Sequence, residues 1–197
     1  NLKLLTNFET SYPRIKENCF MYSGVEAAGV SEIYHRHSYL RDNDIVVLDI
    51  EVSFASYNEE KKQDRIDILL YNKSNQTLQF VEAKHYSNKE IWSRSTPKVI
   101  NQIKKYENQI EQRKAEILSG YDGYIKTIQE IFGIYLPEPK DIDPKVTLLV
   151  FGFDTNQQQG RLNDLILQNP HYSGIKFYAR GDVSKLKTET LWNSRIL

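Results

Sequence analysis

The chain has 197 residues, 40% of them apolar, enough for one domain with a substantial core, and its 26 basic residues balance 26 acidic ones. That balance excludes an overall positive field, so any attraction for nucleic acid must come from local patches. The single cysteine, Cys19, excludes an internal disulfide framework and a four-cysteine zinc or iron–sulfur site. No run of about 20 apolar residues offers a membrane span and no signal-peptide pattern opens the chain, so a cytoplasmic protein is the default expectation.

Residues 1–43 predict a helical or irregular part. Phe8, Tyr12, Ile15 and Phe20 are interrupted by Pro13, and Ser31 is placed to cap a helix through Glu32, Ile33, Tyr34, Ser38 and Leu40. His35 and His37 are two apart, a spacing that does not put both on one side of a helix, so they are not read as ligands. Residues 44–56 (DIVVLDIEVSFAS) give the strongest strand signal, β-branched and unbroken by Gly or Pro, and residues 57–63 form a charged loop. Two shorter period-two runs follow, 64–72 (DRIDILLYN) and 77–86 (TLQFVEAKHY), joined by a polar turn over 73–76. The polar segment 87–97 is a candidate loop in which Trp92 and Arg94 are placed either to meet bases or phosphates or to plug the edge of the core.

Residues 97–118 predict a long helix with Val99, Ile103, Tyr106, Ile110 and Ile117 at three-and-four spacing. Its lysines and arginines are diluted by Glu107, Glu111 and Glu116, the usual pattern of a solvated face. After Gly120 and Gly123 a second helical run covers 124–132, then a Pro-rich loop, a buried-type strand over 145–153, a helix over 155–169 and a last strand over 174–180. The order is helix, three-strand meander, helix, strand, helix, strand: one α/β domain with a mixed sheet, over residues 1–197. The sequence begins at Asn1 and its one methionine is Met21, so these residues are expected to have been trimmed or to belong to something longer.

The chemistry lies in the hairpin. Pairing symmetric about the midpoint of residues 74 and 75 sets Asp67 opposite Glu82, with Lys84 two residues along on the same face. A slip of one residue would separate them. Two carboxylates so close repel. Lys84 would neutralise one; a hard divalent cation such as Mg²⁺, which prefers carboxylate oxygens and recruits phosphate oxygens, would neutralise both. The plainer alternative is a cross-strand ion pair on a solvated sheet face, which contributes little. If 44–56 pairs antiparallel with 64–72 about residue 59, Glu51 falls beside Asp67 as a candidate third ligand, the alternative being a surface acid on an outer strand.

Asp67, fourteen residues, then Glu82-Ala83-Lys84 resembles the PD-(D/E)XK nuclease superfamily, which includes many restriction endonucleases and RecB-type exonucleases. Gln102 to Tyr106 fits the Gln-x-x-x-Tyr pattern that RecB-like members carry on the helix after the E-x-K strand. The match spans about forty residues; one departure is that Ile66, not proline, precedes Asp67. The resemblance implies a restriction-endonuclease-like core, DNA as partner, and Mg²⁺ or Mn²⁺ held by Asp67, Glu82 and the Ala83 carbonyl. Lys84 would position water or stabilise developing charge, and Gln102 and Tyr106 would orient that group. Many members also take an acid from their first helix, which makes Glu32 and Glu26 candidates. Two readings stay open beside this one: a nuclease-fold module that binds nucleic acid or a protein without cutting, and an α/β enzyme acting on sugars or nucleotides, for which no Gly-rich phosphate loop is present. Endo- and exonuclease action, DNA and RNA as substrate, and a homodimer or additional domains all stay open beside these readings.

Overall fold

A computed structural model describes residues 24–54 and 64–197. The expectations for residues 1–23 and 55–63 lie outside the described residues. Within them the elements run α1 (Val25–His37), β1 (Ile45–Phe54), β2 (Asp64–Asn72), β3 (Thr77–His85), α2 (Lys98–Phe132), β4 (Asp141–Ile142), β5 (Thr147–Phe151), a helical turn Thr155–Gln157 continuing into a wide segment Gln158–Leu167, β6 (Lys176–Arg180), α3 (Thr188–Trp192) and β7 (Arg195–Ile196).

The strands form one mixed seven-stranded sheet, ordered β1-β2-β3-β5-β6-β7, with short β4 also pairing β3. The first three make an antiparallel meander, as their hairpin-length connection requires. Within the turn, Asn72 Oδ1 accepts from the backbone N–H groups of Ser74 (3.0 Å) and Asn75 (3.3 Å), and Gln76 takes the left-handed conformation at φ 58°. The resulting register, Ile68↔Val81 through Asn72↔Thr77, is the one expected. β3 then pairs parallel with β5 and β5 with β6. Parallel neighbours need a crossover, which α2 supplies between β3 and β5.

Both faces of the sheet are covered. On one, α2 buries Val99, Ile100, Ile103, Tyr106 and Ile110 against Ile66, Leu69, Phe80, Leu148 and Val150. On the other, Val30 and Ile33 of α1 and Leu191 of α3 pack on Val47, Ile68, Val81, Leu149 and Phe151. α1 lies close enough that a Cβ on Gly29 would stand 2.3 Å from the Phe151 ring. As the central strand, β3 is buried from Leu78 to Lys84, its charged residues included. No helix among the described residues is long and apolar enough to cross a membrane.

Several boundaries differ from expectation. α1 begins at Val25, so Ser31 sits inside the helix and caps nothing. α2 is one element of 35 residues rather than two, running through Gly120 and Gly123 and kinked instead at Arg113 (φ −114°, ψ 16°). Its apolar stripe continues through Ile117, Ile125 and Ile128, and that burial outweighs two exposed glycines. Gly133, at φ 62°, ends it in a left-handed cap. The helix expected over 155–169 is broken in type at Gly160 (φ −91°, ψ −106°). β4, α3 and β7 carry too few residues for a periodic signal.

Candidate active site

Continuing the observed hairpin register by one residue beyond Ile68↔Val81 sets Asp67 across from Glu82. On the other side, β1 and β2 pair Ile50↔Ile68 and Val52↔Ile66, so the same continuation sets Glu51 across from Asp67. A cleft of about 460 Å³ opens there, lined by Glu51, Arg65, Asp67, Glu82, Lys84, Gln102, Tyr106 and, from α1 and the residue before it, Glu26, Ala27, Val30 and Gly24. It lies where β2 starts and β3 ends, between the helix on one face and the helix on the other. The five residues of the Asp…Glu-x-Lys and Gln-x-x-x-Tyr patterns therefore line one cleft.

Glu82 is 1% exposed, a carboxylate in the interior of the sheet. Its Oε1 meets the Lys84 Nζ at 2.8 Å, while its Oε2 is buried without a hydrogen-bond partner. Such an orphaned oxygen is costly unless something charged engages it. Asp67 accepts the Ala83 backbone N–H on Oδ2 at 2.7 Å. Burial pushes the Asp67 carboxyl up to about 6 against the pull of that N–H and of Lys84, and Glu51 and Glu26 push the same way. Burial and then the Asp67 charge push Glu82 up to about 8. Burial alone would lower the Lys84 ammonium, but Glu82, then Glu26 and Asp67, hold it charged above the ordinary lysine range. The acids crowded here therefore hold their protons to higher pH than ordinary carboxyls do, with Lys84 and Arg65 as the cations beside them.

Of the candidate further acids, two reach the cleft and one does not. Glu51 lines it, pairs with Arg65 at 3.1 Å, and sits at φ 56°, a left-handed conformation uncommon and costly for a non-glycine residue. Glu26 lines it too, its Oε1 accepting from the His85 backbone N–H (2.9 Å) and the Asn88 side-chain amide (2.7 Å). Glu32 instead pairs with Arg36 at 2.5 Å on the exposed side of α1.

Gln102 and Tyr106 line the cleft and bond to each other and to β2. Gln102 donates to the Tyr106 hydroxyl at 2.8 Å, and that hydroxyl donates to the Arg65 carbonyl at 2.6 Å, two residues before Asp67. The pair thus ties α2 to the strand carrying the acid. Trp92 takes the packing role: its ring meets Tyr86 edge-on at 4.8 Å, its Nε1 donates to the Tyr86 carbonyl, and the Arg161 guanidinium stands 4.3 Å from its centroid.

The donor set suits a hard divalent cation in one specific way. Among the described residues no three His, Cys, Asp or Glu side chains gather into a ready metal cage. Mg²⁺, however, keeps several waters and binds through one or two carboxylates together with substrate phosphates, and Asp67 and Glu82 are the two carboxylates that could serve it. Residues that sequence reasoning missed are Arg65, Asn88 and Glu90, whose carboxylate Oε2 lies 3.4 Å from Lys84 Nζ. No protein-family model, curated protein or solved structure matches the chain.

Proposed function

We propose that the chain is a metal-dependent nuclease hydrolysing DNA phosphodiester bonds, with a restriction-endonuclease-like core of the PD-(D/E)XK kind. The observation that carries the reading is the buried Glu82 carboxylate beside Asp67, with one oxygen on Lys84 and the other unpartnered, at the wall of an open cleft. Crowded, desolvated acids with raised pKa values in a cleft mark a functional site more often than a structural one.

In this reading Asp67 and Glu82 hold Mg²⁺ or Mn²⁺, with the Ala83 carbonyl as a further ligand and Glu51 placed to join them. The bound ion supplies Lewis acidity for a phosphoryl oxygen and for the attacking water. Lys84 holds its ammonium where negative charge develops on the phosphate, a preorganised role that water would perform less well. Gln102 and Tyr106 keep the Asp67 strand in place through the Arg65 carbonyl. In the net reaction a water oxygen bonds to phosphorus, one ester P–O bond breaks, and the departing alcohol takes a proton.

A second reading, a nuclease-fold module that binds without cutting, is favoured by one observation: Lys84 is already engaged by two carboxylates, Glu82 and Glu90. Metal binding separates the two. Calorimetric titration with Mg²⁺ and Mn²⁺ should show binding by the wild type and none by Asp67→Asn/Glu82→Gln. Wild-type protein that takes up no ion at millimolar concentration would support the binding module instead.

A further inference from the structure

Lys84 is held from two sides. Its Nζ lies 2.8 Å from Glu82 Oε1 and 3.4 Å from Glu90 Oε2. Neither the E-x-K pattern nor the Gln-x-x-x-Tyr pattern contains Glu90, which stands in the polar segment after β3.

The turn that presents Glu90 is nailed down on every side. Residues Lys89–Ile91 form a single tight helical turn, with the Asn88 side chain accepting the Glu90 backbone N–H at 2.8 Å. The Asn88 amide in turn donates to Glu26 Oε1 at 2.7 Å, joining the turn to α1. Ile91 is fully buried, and its carbonyl accepts the Tyr172 hydroxyl at 2.8 Å. The Glu90 backbone is therefore fixed by the core although its side chain is 43% exposed. A casual surface ion pair has no such anchorage and contributes little.

An ammonium on a four-carbon stem is a mobile point charge with three N–H donors. One carboxylate leaves it free to swing about that contact; two fix it. Glu82 at 2.8 Å is the close ion pair and Glu90 at 3.4 Å a second carboxylate on the same ammonium, which lines the cleft. We propose that Glu90 is a positioning residue: the second carboxylate, set by the Asn88–Glu26 link, that aims the Lys84 ammonium at the phosphate-binding cleft. The catalytic part of this inference rests on the nuclease reading; the holding of Lys84 does not.

Glu90→Gln tests it, since the substitution keeps shape and, at a part-exposed site, should keep the fold. The first readout needs no metal or substrate: the ¹H–¹⁵N ammonium resonance of Lys84, identified by its loss in Lys84→Met. A fixed, shielded ammonium exchanges slowly and gives a sharp signal in the wild type, and Glu90→Gln should broaden it beyond detection. The second is DNA cleavage with Mn²⁺, where kcat should fall about tenfold, the loss of one charge-assisted contact in the transition state. KM and Mn²⁺ affinity should stay within about twofold of wild type, because Asp67 and Glu82 are untouched. A Lys84 signal as sharp in Glu90→Gln as in the wild type overturns the proposal, whatever happens to cleavage. A wild type that does not cleave removes the nuclease reading but leaves the ammonium signal to decide whether Glu90 fixes Lys84.

Discussion

At the scale of single residues, the account turns on protons. Asp67 and Glu82 sit above their unfolded values of 3.8 and 4.5, at about 6 and about 8. The folded state then binds protons more tightly than the unfolded chain, so the slope of unfolding free energy with pH is negative across that interval. Their contribution to stability is fully present below about pH 4 and is lost as pH rises through about 6 and then about 8. Metal-free wild type should therefore lose thermal stability between pH 5 and pH 8.5 more steeply than Asp67→Asn/Glu82→Gln, compared by calorimetry at matched ionic strength. Parallel profiles would mean that neither carboxyl carries a raised pKa. Bound cation acts oppositely, displacing those protons, and should raise the melting temperature more at the alkaline end.

At the scale of elements, legibility followed periodicity. The Asp67–Glu82 register was readable because period-two patterning and a short polar turn leave little freedom to slip. The Glu51 register, across nine residues outside the described structure, was readable only by symmetry. The start of α1 was misplaced because Gly24 caps it without a side-chain hydrogen bond, leaving no capping signature to find. Glu90 was missed because a single turn in a polar segment has no period at all. Gly120 and Gly123 misled in the other direction, since local cost was taken for a break that burial of the stripe overrides. That continuity has a consequence: a Cβ at either glycine meets nothing within 4 Å. Gly120→Ala/Gly123→Ala should therefore stabilise the protein by about 1–2 kcal/mol in urea unfolding, from roughly 0.5–1 kcal/mol per site. A loss of stability would contradict one continuous helix there.

At the scale of the whole molecule, the sheet does the assembling. α1, β1, β2, β3 and α2 each send a residue to one cleft, and the layers on both faces of the sheet keep Glu82 from water. A neutral chain can host such a site because its acids are gathered locally. The α/β architecture with a mixed sheet was visible in the order of elements; the site's energetics were not, because desolvation of Glu82 depends on both layers packing over β3. The measurement that tests the central claim most directly is cleavage of supercoiled plasmid and linear DNA with Mn²⁺, wild type against Lys84→Ala, with circular dichroism to verify folding. Mn²⁺-dependent cutting by the wild type, reduced at least about a hundredfold in a folded Lys84→Ala, is the predicted result. Cutting of the circle would also mark an endonuclease. No cutting by the wild type, or near-normal cutting by Lys84→Ala, would contradict the account.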